Sequence, residues 1–175
     1  MLKEIKYPAN LKENIHVILH GSNTEKEKIK GQFFYVADTP EFMKNLGLIG
    51  EYFNVRYGVI TRHIKKDEDH SLTEQNWIDL CRRIIEPFAI VIHGKNRYRL
   101  FTDVQINDRN LVVCIDVKNV KKNFDVNAIS TVFGYRKRPI SGKIIYKSEK
   151  ATPEQAALLD EPNALSLPPE QGSGC

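Results

Sequence analysis

Chemically capable side chains are concentrated in the second half of this 175-residue chain, in two clusters. The members of the clusters are, in chain order, His93, Lys95, Arg97 and Tyr98, followed by Ser130, Thr131, Tyr135 and Arg136. Metal-free cleavage of an RNA phosphodiester needs a base for the 2′-hydroxyl proton, an acid for the leaving 5′-oxygen and cations for the phosphate. Histidine, lysine, arginine and tyrosine can fill these roles between them. If the clusters lie on neighbouring strands, Lys95 or Arg97 can reach the same phosphate as Ser130 or Arg136.

A further histidine, His70, stands directly before a predicted helix that starts near Ser71. The free N–H groups at a helix start attract negative charge, which favours a phosphate beside this histidine. We therefore expect a catalytic set of one acid–base group, two phosphate-binding cations and one positioning hydroxyl. Its members are His70, Lys95, Arg136 and Ser130, in that order. The expected substrate-binding residues are His93, Arg97, Tyr98, Thr131 and Tyr135.

Each of these residues also has a purely structural explanation. His70 fits the flank of a helix start, and His93 fits a turn. The alternation of Lys95, Arg97 and Arg99 with uncharged neighbours is typical of the solvent-exposed end of a strand. Serine in a strand often makes a cross-strand hydrogen bond. The residue types alone leave both explanations open.

The net positive charge of the chain comes from its strand-rich half. Residues 1–86 contain 13 Lys and Arg against 13 Asp and Glu, whereas residues 87–147 contain 12 against 4. Residues 148–175 contain 1 against 5, and the whole chain carries a net charge of +4. Such asymmetry favours a polyanionic partner. For the cleavage chemistry described above, that partner is expected to be RNA, with transfer RNA among the candidates. A solvated sheet face is the alternative.

Several other chemistries have no signature in the sequence. It contains no glycine-rich dinucleotide loop, no Walker loop, no H-E-x-x-H, no C-x-x-C and no G-x-S-x-G. The acidic run at 67–70, taken with His63, matches no common ligand spacing. We therefore expect no metal site and no cofactor. The charged N-terminal segment and the lack of a long apolar run predict a cytoplasmic protein without membrane contact.

The apolar pattern predicts an α+β fold, with small helices packed on a four- to five-stranded antiparallel sheet. Strands are expected in the second half at 88–92, 98–104, 111–117, 129–135 and 143–146, with a hairpin around the turn-rich loop Asn107-Asp108-Arg109-Asn110. In the first half, strands or buried segments are expected at 15–19, 33–37 and 52–60, and an exposed loop at 22–31. Helices are expected to begin near Thr39-Pro40-Glu41, Ser71 and Thr152-Pro153. The expected divisions are an N-terminal strand and charged loop (1–32), an α+β domain (33–150) and a short helix with a flexible tail (151–175).

Five short segments, taken in order, resemble a known nuclease group. They read FFYVADTPEFMKNLGL (33–48), HSL (70–72), EPFAIV (86–91), NAISTVFG (127–134) and KIIYKSEKA (143–151). This layout resembles the phage nuclease-like domains grouped with barnase, EndoU, the colicin-type RNases and RelE, including the domain at the C-terminus of Mu F-type phage proteins. The chain departs from that pattern at 93–95, where His-Gly-Lys replaces an expected Ser or Lys, and at Phe133, which replaces an expected Tyr.

The resemblance implies helices followed by a four-stranded antiparallel sheet of the barnase and RelE type. It also implies metal-independent endoribonuclease activity in a toxin or effector of phage or mobile-element origin, with an immunity or antitoxin protein as a further partner. Motif matching carries His70 and Ser130 over as active-site residues. Two alternatives remain open: a catalytically inactive nucleic-acid-binding or phage-structural module, and a transferase that uses a nucleotide cofactor. The transferase lacks a convincing catalytic Glu downstream in the sheet.

Overall fold

The computed structural model describes residues 8–63, 71–121, 124–136 and 140–159, so the predicted catalytic residue His70 lies outside the described residues. The helices are α1 (Pro8–His20), α2 (Asn23–Ile29), α3 (Glu41–Asn45), α4 (Tyr57–Arg62), α5 (Glu74–Arg83) and α6 (Pro153–Leu159). The strands are β1 (Phe33–Asp38), β2 (Tyr52–Arg56), β3 (Ala89–Ile92), β4 (Arg97–Ile106), β5 (Arg109–Lys121), β6 (Phe124–Gly134) and β7 (Lys143–Lys147). Within these ranges, every helix is too short or too polar to cross a bilayer.

All the described strands join one sheet, in the order β1-β2-β6-β5-β4-β3-β7. Neighbouring strands are antiparallel except β2 and β6, which are parallel. The α+β class is confirmed, but the expected sheet of four to five antiparallel strands is wrong, because the sheet has seven strands in mixed orientation. The short connections of the second half do give antiparallel neighbours. The additional strands come from the first half, where β1 pairs with β2 and β2 pairs with β6.

One face of the sheet, called the first face, is covered by α1, α4 and α5. The fully buried side chains of this layer include Ile15 and Ile18 from α1, Ile60 from α4, and Trp77 and Leu80 from α5. Each side chain of this kind stabilises the fold by roughly 1.5–3 kcal/mol when it leaves water. Because α1 contributes to the same core as α5, the N-terminal helix is packed as part of the α+β layer structure.

The opposite face, called the second face, carries a smaller apolar cluster at one end. The buried members of that cluster are Phe88, Ala89, Val91, Phe101, Val112 and Leu159. Leu159 belongs to α6, which therefore packs on this end of the face. The other end of the second face is polar, and it holds several of the predicted site residues.

The segment 15–19 is helical, not a strand, because its apolar residues belong to a longer helical pattern. Leu11, Ile15 and Ile18 are spaced four and three residues apart, and all three are buried. That spacing is the period of one helix face. The five-residue segment taken alone did not reveal this period.

The segment 22–31 is likewise not a loop, since it contains α2. Ser22 is the N-cap of this helix, and its hydroxyl accepts a hydrogen bond from the backbone N–H of Glu25. The Glu25 carboxylate accepts one from the N–H of Ser22, which completes a capping box. The spacing of Ser22 and Glu25 was therefore a helix signal inside a strongly charged stretch.

The segment 52–60 contains a strand and a helix, where one strand was expected. Phe53 and Val55 alternate inward in β2, as a strand requires, and the strand ends at Arg56. Val59 and Ile60 then lie next to each other inside α4, and both are buried. Neighbouring side chains of a strand point to opposite faces, whereas neighbouring residues of a helix can both belong to its apolar stripe. The burial of both residues therefore fits a helix packed on the first face.

The turn, helix-start and edge-strand signals of the second half are confirmed, although the hairpin turn has two residues and Arg109 and Asn110 belong to β5. Asn107 and Asp108 both have positive φ (50° and 61°), which is the conformation of a two-residue hairpin turn between β4 and β5. The helix-start signal Thr152-Pro153 precedes α6 directly. The predicted short strand at 143–146 forms β7 at the edge of the sheet.

A buried amide in β6 joins the sheet to the loop after α3. The side-chain nitrogen of Asn127 donates to Thr39 Oγ1 (2.9 Å) and to the carbonyl oxygens of Leu48 and Gly50 (both 3.3 Å). Its oxygen accepts from the Gly50 N–H at 3.2 Å. Thr39 was expected to cap α3, but Pro40 occupies that cap position and the Thr39 hydroxyl bonds to Asn127. Asn127 is fully buried, so these partners replace water for it.

Candidate functional site on the second face

The alternation of β4 divides the predicted binding residues between the two faces of the sheet. Tyr98 is buried in the first-face core, together with Leu100. Arg97 and Arg99 alternate with them and therefore point to the second face. The structure thus separates Tyr98 from Arg97, although both were expected to contact one substrate.

His93 lies directly beside Arg97 at the junction of β3 and β4. The His93 N–H donates to the Arg97 carbonyl at 2.9 Å, which fixes the two residues opposite each other. Val91, two residues earlier, pairs with Arg99. His93 therefore shares the second face with both arginines. Lys95 is exposed in the turn between the two strands.

The His93 ring is held by a serine that follows a gap in the described chain. Ser141 Oγ lies 3.3 Å from His93 Nδ1, within hydrogen-bonding distance. Gly142 fixes this contact, because its φ is +106° and a side chain on it would collide with the carbonyl oxygen of Ile92. Nε2 of His93 has no hydrogen-bond partner in the part of the chain that the structure describes. We call His93, Arg97, Arg99 and Ser141 the basic corner.

The two arginines of the basic corner differ in their surroundings. Arg97 Nε is 3.4 Å from Asp116 Oδ1 on β5, and the arginine side chain is 53% exposed. Its terminal nitrogens make no hydrogen bond to any described residue. Arg99 is buried, and its guanidinium lies 5.7 Å from the centre of the Phe133 ring. Arg97 can thus donate to a ligand, while Arg99 contributes fixed positive charge beneath it.

Ser130 and Thr131 lie in β6 at a bulge, where the register with β5 shifts between Cys114 and Ile115. The Ser130 hydroxyl donates to the Cys114 carbonyl at 3.2 Å, which is the cross-strand bond expected of a structural serine. Thr131 pairs with Cys114 and is half-buried, and its hydroxyl has no hydrogen-bond partner among the described residues. Because β6 is three strands from β3, these residues lie roughly 14 Å from His93. They can contact a neighbouring nucleotide, but not the phosphate at His93.

The backbone of Tyr135 and Arg136 lies at the opposite end of the sheet from His93, although the Tyr135 side chain is close enough to Arg99 to affect its pKa. The Tyr135 ring packs against Phe101 with ring centres 5.2 Å apart, inside the second-face apolar cluster. Arg97 pairs with Asp116, which pairs with Ala128, so these three residues lie side by side across the sheet. Gly134 follows Ala128 by six residues, which is roughly 20 Å along the strand. Arg136 is exposed beyond that end. The structure therefore does not bring Arg136 and Lys95 to one phosphate, and it gives no position for His70.

Sequence reasoning placed His93 and Arg97 correctly in one neighbourhood but missed Arg99, Ser141 and Asp116. The signal for Arg99 was present, because a period of two from Arg97 places it on the same face. Ser141 had no local signal, since it reaches His93 through the pairing of β7 with β3. Only the topology of the sheet brings them together.

Burial lowers the pKa of His93 below its ordinary value of 6.5, and the nearby charge of Arg99 lowers it further. A hydrogen bond with the backbone of Ser141 raises the pKa, and the charge of Arg97 lowers it. The ring is therefore neutral at pH 7 and presents a lone pair. Because the unfolded chain takes up this proton more readily, His93 makes stability fall as the pH decreases below about 6.5.

We expect NMR titration of the His93 ring to give a pKa below 6.5 in the wild type. Arg99→Gln should raise this pKa because it removes a nearby positive charge. Arg109→Gln is the matched control, since Arg109 pairs with Ile106 at the far end of the hairpin. A wild-type pKa at or above 6.5, or equal responses to the two substitutions, would contradict this electrostatic description.

Comparison of the chain with protein-family models, with curated proteins and with solved structures finds no match, so the assignment of a function depends on this geometry.

Proposed function

We propose that the basic corner cleaves RNA without a metal ion, with His93 as the acid–base group. The observation that carries this proposal is the orientation of one imidazole between a serine and an arginine. Nδ1 is engaged by Ser141 at 3.3 Å, and Nε2 is directed away from that contact. Arg97 stands opposite with terminal nitrogens available to a phosphate. The proposal rests on His93 because His70, the acid–base group that the sequence favoured, lies outside the described residues.

The proposed reaction is an internal transfer at phosphorus. Nε2 of His93 takes the proton of the 2′-hydroxyl, and the resulting oxygen attacks the adjacent phosphorus. Arg97 donates to the phosphate oxygens as negative charge builds on them, and Arg99 adds to the field from below. The bond to the 5′-oxygen breaks, and that oxygen takes a proton from water at the exposed rim. The products are a 2′,3′-cyclic phosphate and a free 5′-hydroxyl.

RNA is favoured as the substrate because the charge of the strand-rich half matches a polyanion. Residues 87–147 carry 12 basic against 4 acidic side chains. Lys95 is exposed beside the basic corner, and Thr131 offers a hydroxyl farther along the same face. These groups can follow a backbone over more than one nucleotide. The resemblance to phage nuclease-like domains is consistent with such a substrate, and it suggests a toxin or effector role.

The test is incubation of the purified full chain with single-stranded RNA in EDTA, beside DNA of the same sequence. We expect RNA fragments and intact DNA, because only RNA supplies the 2′-hydroxyl. A protein that binds RNA to saturation and leaves it intact would contradict the proposal.

A second candidate is a nucleic-acid-binding module without catalysis. It is favoured by one observation: the described residues place no second unpaired acid–base side chain opposite His93, since Asp116 pairs with Arg97. This candidate predicts RNA affinity that falls steeply with salt, with no cleavage product. The same incubation should be repeated at salt concentrations from roughly 50 to 200 mM, the range over which contacts with phosphates weaken. Cleavage products indicate the nuclease, whereas salt-sensitive binding without products indicates the binding module.

A further inference from the structure

Two histidines and a glutamate converge on the helical side of the molecule, away from the basic corner. His16 and His20 lie on α1, and Glu74 is the first residue of α5. His16 Nδ1 is 3.1 Å from Glu74 Oε2, and His20 Nε2 is 3.7 Å from the same oxygen. Over the described ranges, this is the only group of three or more such side chains close enough to share one ion.

We propose that His16, His20 and Glu74 form a binding site for a borderline divalent metal of the zinc class. Histidines four residues apart lie on one face of a helix, so both rings can reach one ion. Imidazole nitrogens with one carboxylate oxygen suit Zn²⁺ and its neighbours, whereas Ca²⁺ and Mg²⁺ prefer oxygen ligands alone. Water completes the coordination.

The two nitrogen–oxygen distances fit such an ion, and the three donor atoms lie within 4.8 Å of one another. Zinc bonds of about 2.0–2.1 Å in tetrahedral geometry place neighbouring ligand atoms roughly 3.3 Å apart. The two nitrogen–oxygen distances of 3.1 and 3.7 Å lie on either side of that value. The histidine side chains are 62% and 58% exposed and the glutamate side chain 24%, so an ion can enter from solvent without a change of fold.

Metal at this site joins the two helices that cover the first face. α1 and α5 contact each other, and each contributes fully buried residues to the core. An ion held by both helices binds the folded chain and not the unfolded one, so it stabilises the fold. The site is independent of the proposed RNA chemistry, which lies on the other face of the sheet.

The test is calorimetric titration of the metal-free full chain with Zn²⁺ alone at neutral pH. We expect one ion per chain, and a rise in Tm of roughly 5–10 °C when Zn²⁺ exceeds its Kd about 100-fold. His20→Ala and Glu74→Gln should each weaken binding by at least about tenfold, since each removes one of three protein ligands. His93→Ala is the control and should bind Zn²⁺ as the wild type does.

Circular dichroism of the metal-free variants establishes that they are folded before titration. The proposal is overturned if the wild type binds no Zn²⁺. It is also overturned if His20→Ala and Glu74→Gln bind as tightly as the wild type, or if His93→Ala abolishes binding, because the ion would then lie elsewhere.

Discussion

Replacing His93 with alanine is expected to lower the rate of RNA cleavage by about 100- to 10,000-fold, which is the usual contribution of a positioned acid–base group. The neutral ring beside Arg97 is the proposed base, and alanine cannot accept the 2′-hydroxyl proton. RNA affinity should change little, because Lys95 and Arg97 remain. The measurement is single-turnover cleavage in EDTA, together with a separate RNA-binding titration.

His16→Ala is the matched control for this experiment, since His16 is an exposed histidine on the helical side of the sheet. It should cleave RNA at the wild-type rate in EDTA. His93→Gln keeps the size of the side chain, and it should show the same loss as His93→Ala if the ring nitrogen is the base. Wild-type rates in both His93 variants would exclude the assigned role.

Asn127→Ala is expected to destabilise the fold by about 3 kcal/mol or more. The substitution leaves the Gly50 N–H and the carbonyl oxygens of Leu48 and Gly50 buried without their partner. Each buried polar group that loses its partner costs about 1–3 kcal/mol. Thr39 loses its bond as well. The measurement is the free energy of unfolding from urea denaturation.

Asn54→Ala provides the comparison, because Asn54 is also a buried asparagine in a strand. Its side-chain oxygen has no hydrogen-bond partner among the described residues. Its removal should therefore cost at least about 2 kcal/mol less than the removal of Asn127, since it leaves fewer groups unpaired. An equal loss of unfolding free energy in the two variants would show that Asn127 does not hold β6 to the loop after α3.

The features that could be predicted from the sequence were those with local causes. The turn at Asn107-Asp108 requires residues that tolerate positive φ. Asn and Asp are such residues, so the turn could be predicted from these two positions alone. The apolar stripe of α5, with Trp77 and Leu80, follows from spacing within one helix. Each predicted strand of the second half overlaps an observed strand. However, β5 continues to Lys121 and β6 begins at Phe124, whereas the sequence pattern left 118–128 outside any strand.

The features that could not be predicted depend on contacts between distant segments. The parallel pairing of Phe53 with Asn127 joins residues far apart in the chain, and no local pattern specifies it. The segment 15–19 was misassigned because a short apolar run fits a strand and a helix equally well. Only the position of Leu11 one turn earlier distinguishes them.

In the candidate site, too, some residues could be predicted from local sequence, whereas others are brought in by distant segments. The excess of basic residues in 87–147 indicated the correct half of the chain, and the period of two assigns Arg97 and Arg99 to one face. The proximity of Ser141 to His93 depends on β7 returning beside β3. The sequence could therefore supply the cations but not the partner that orients the imidazole.

The chemical nature of the RNA ends tests the central claim most directly. Total bacterial RNA, including transfer RNA, would be incubated in EDTA with the wild-type chain or with His93→Ala, and the new ends identified. The proposed reaction predicts 2′,3′-cyclic phosphate and 5′-hydroxyl ends with the wild type and none above background with His93→Ala. The absence of new ends with the wild type, equal numbers with the variant, or ends bearing 3′-hydroxyl and 5′-phosphate groups would contradict it.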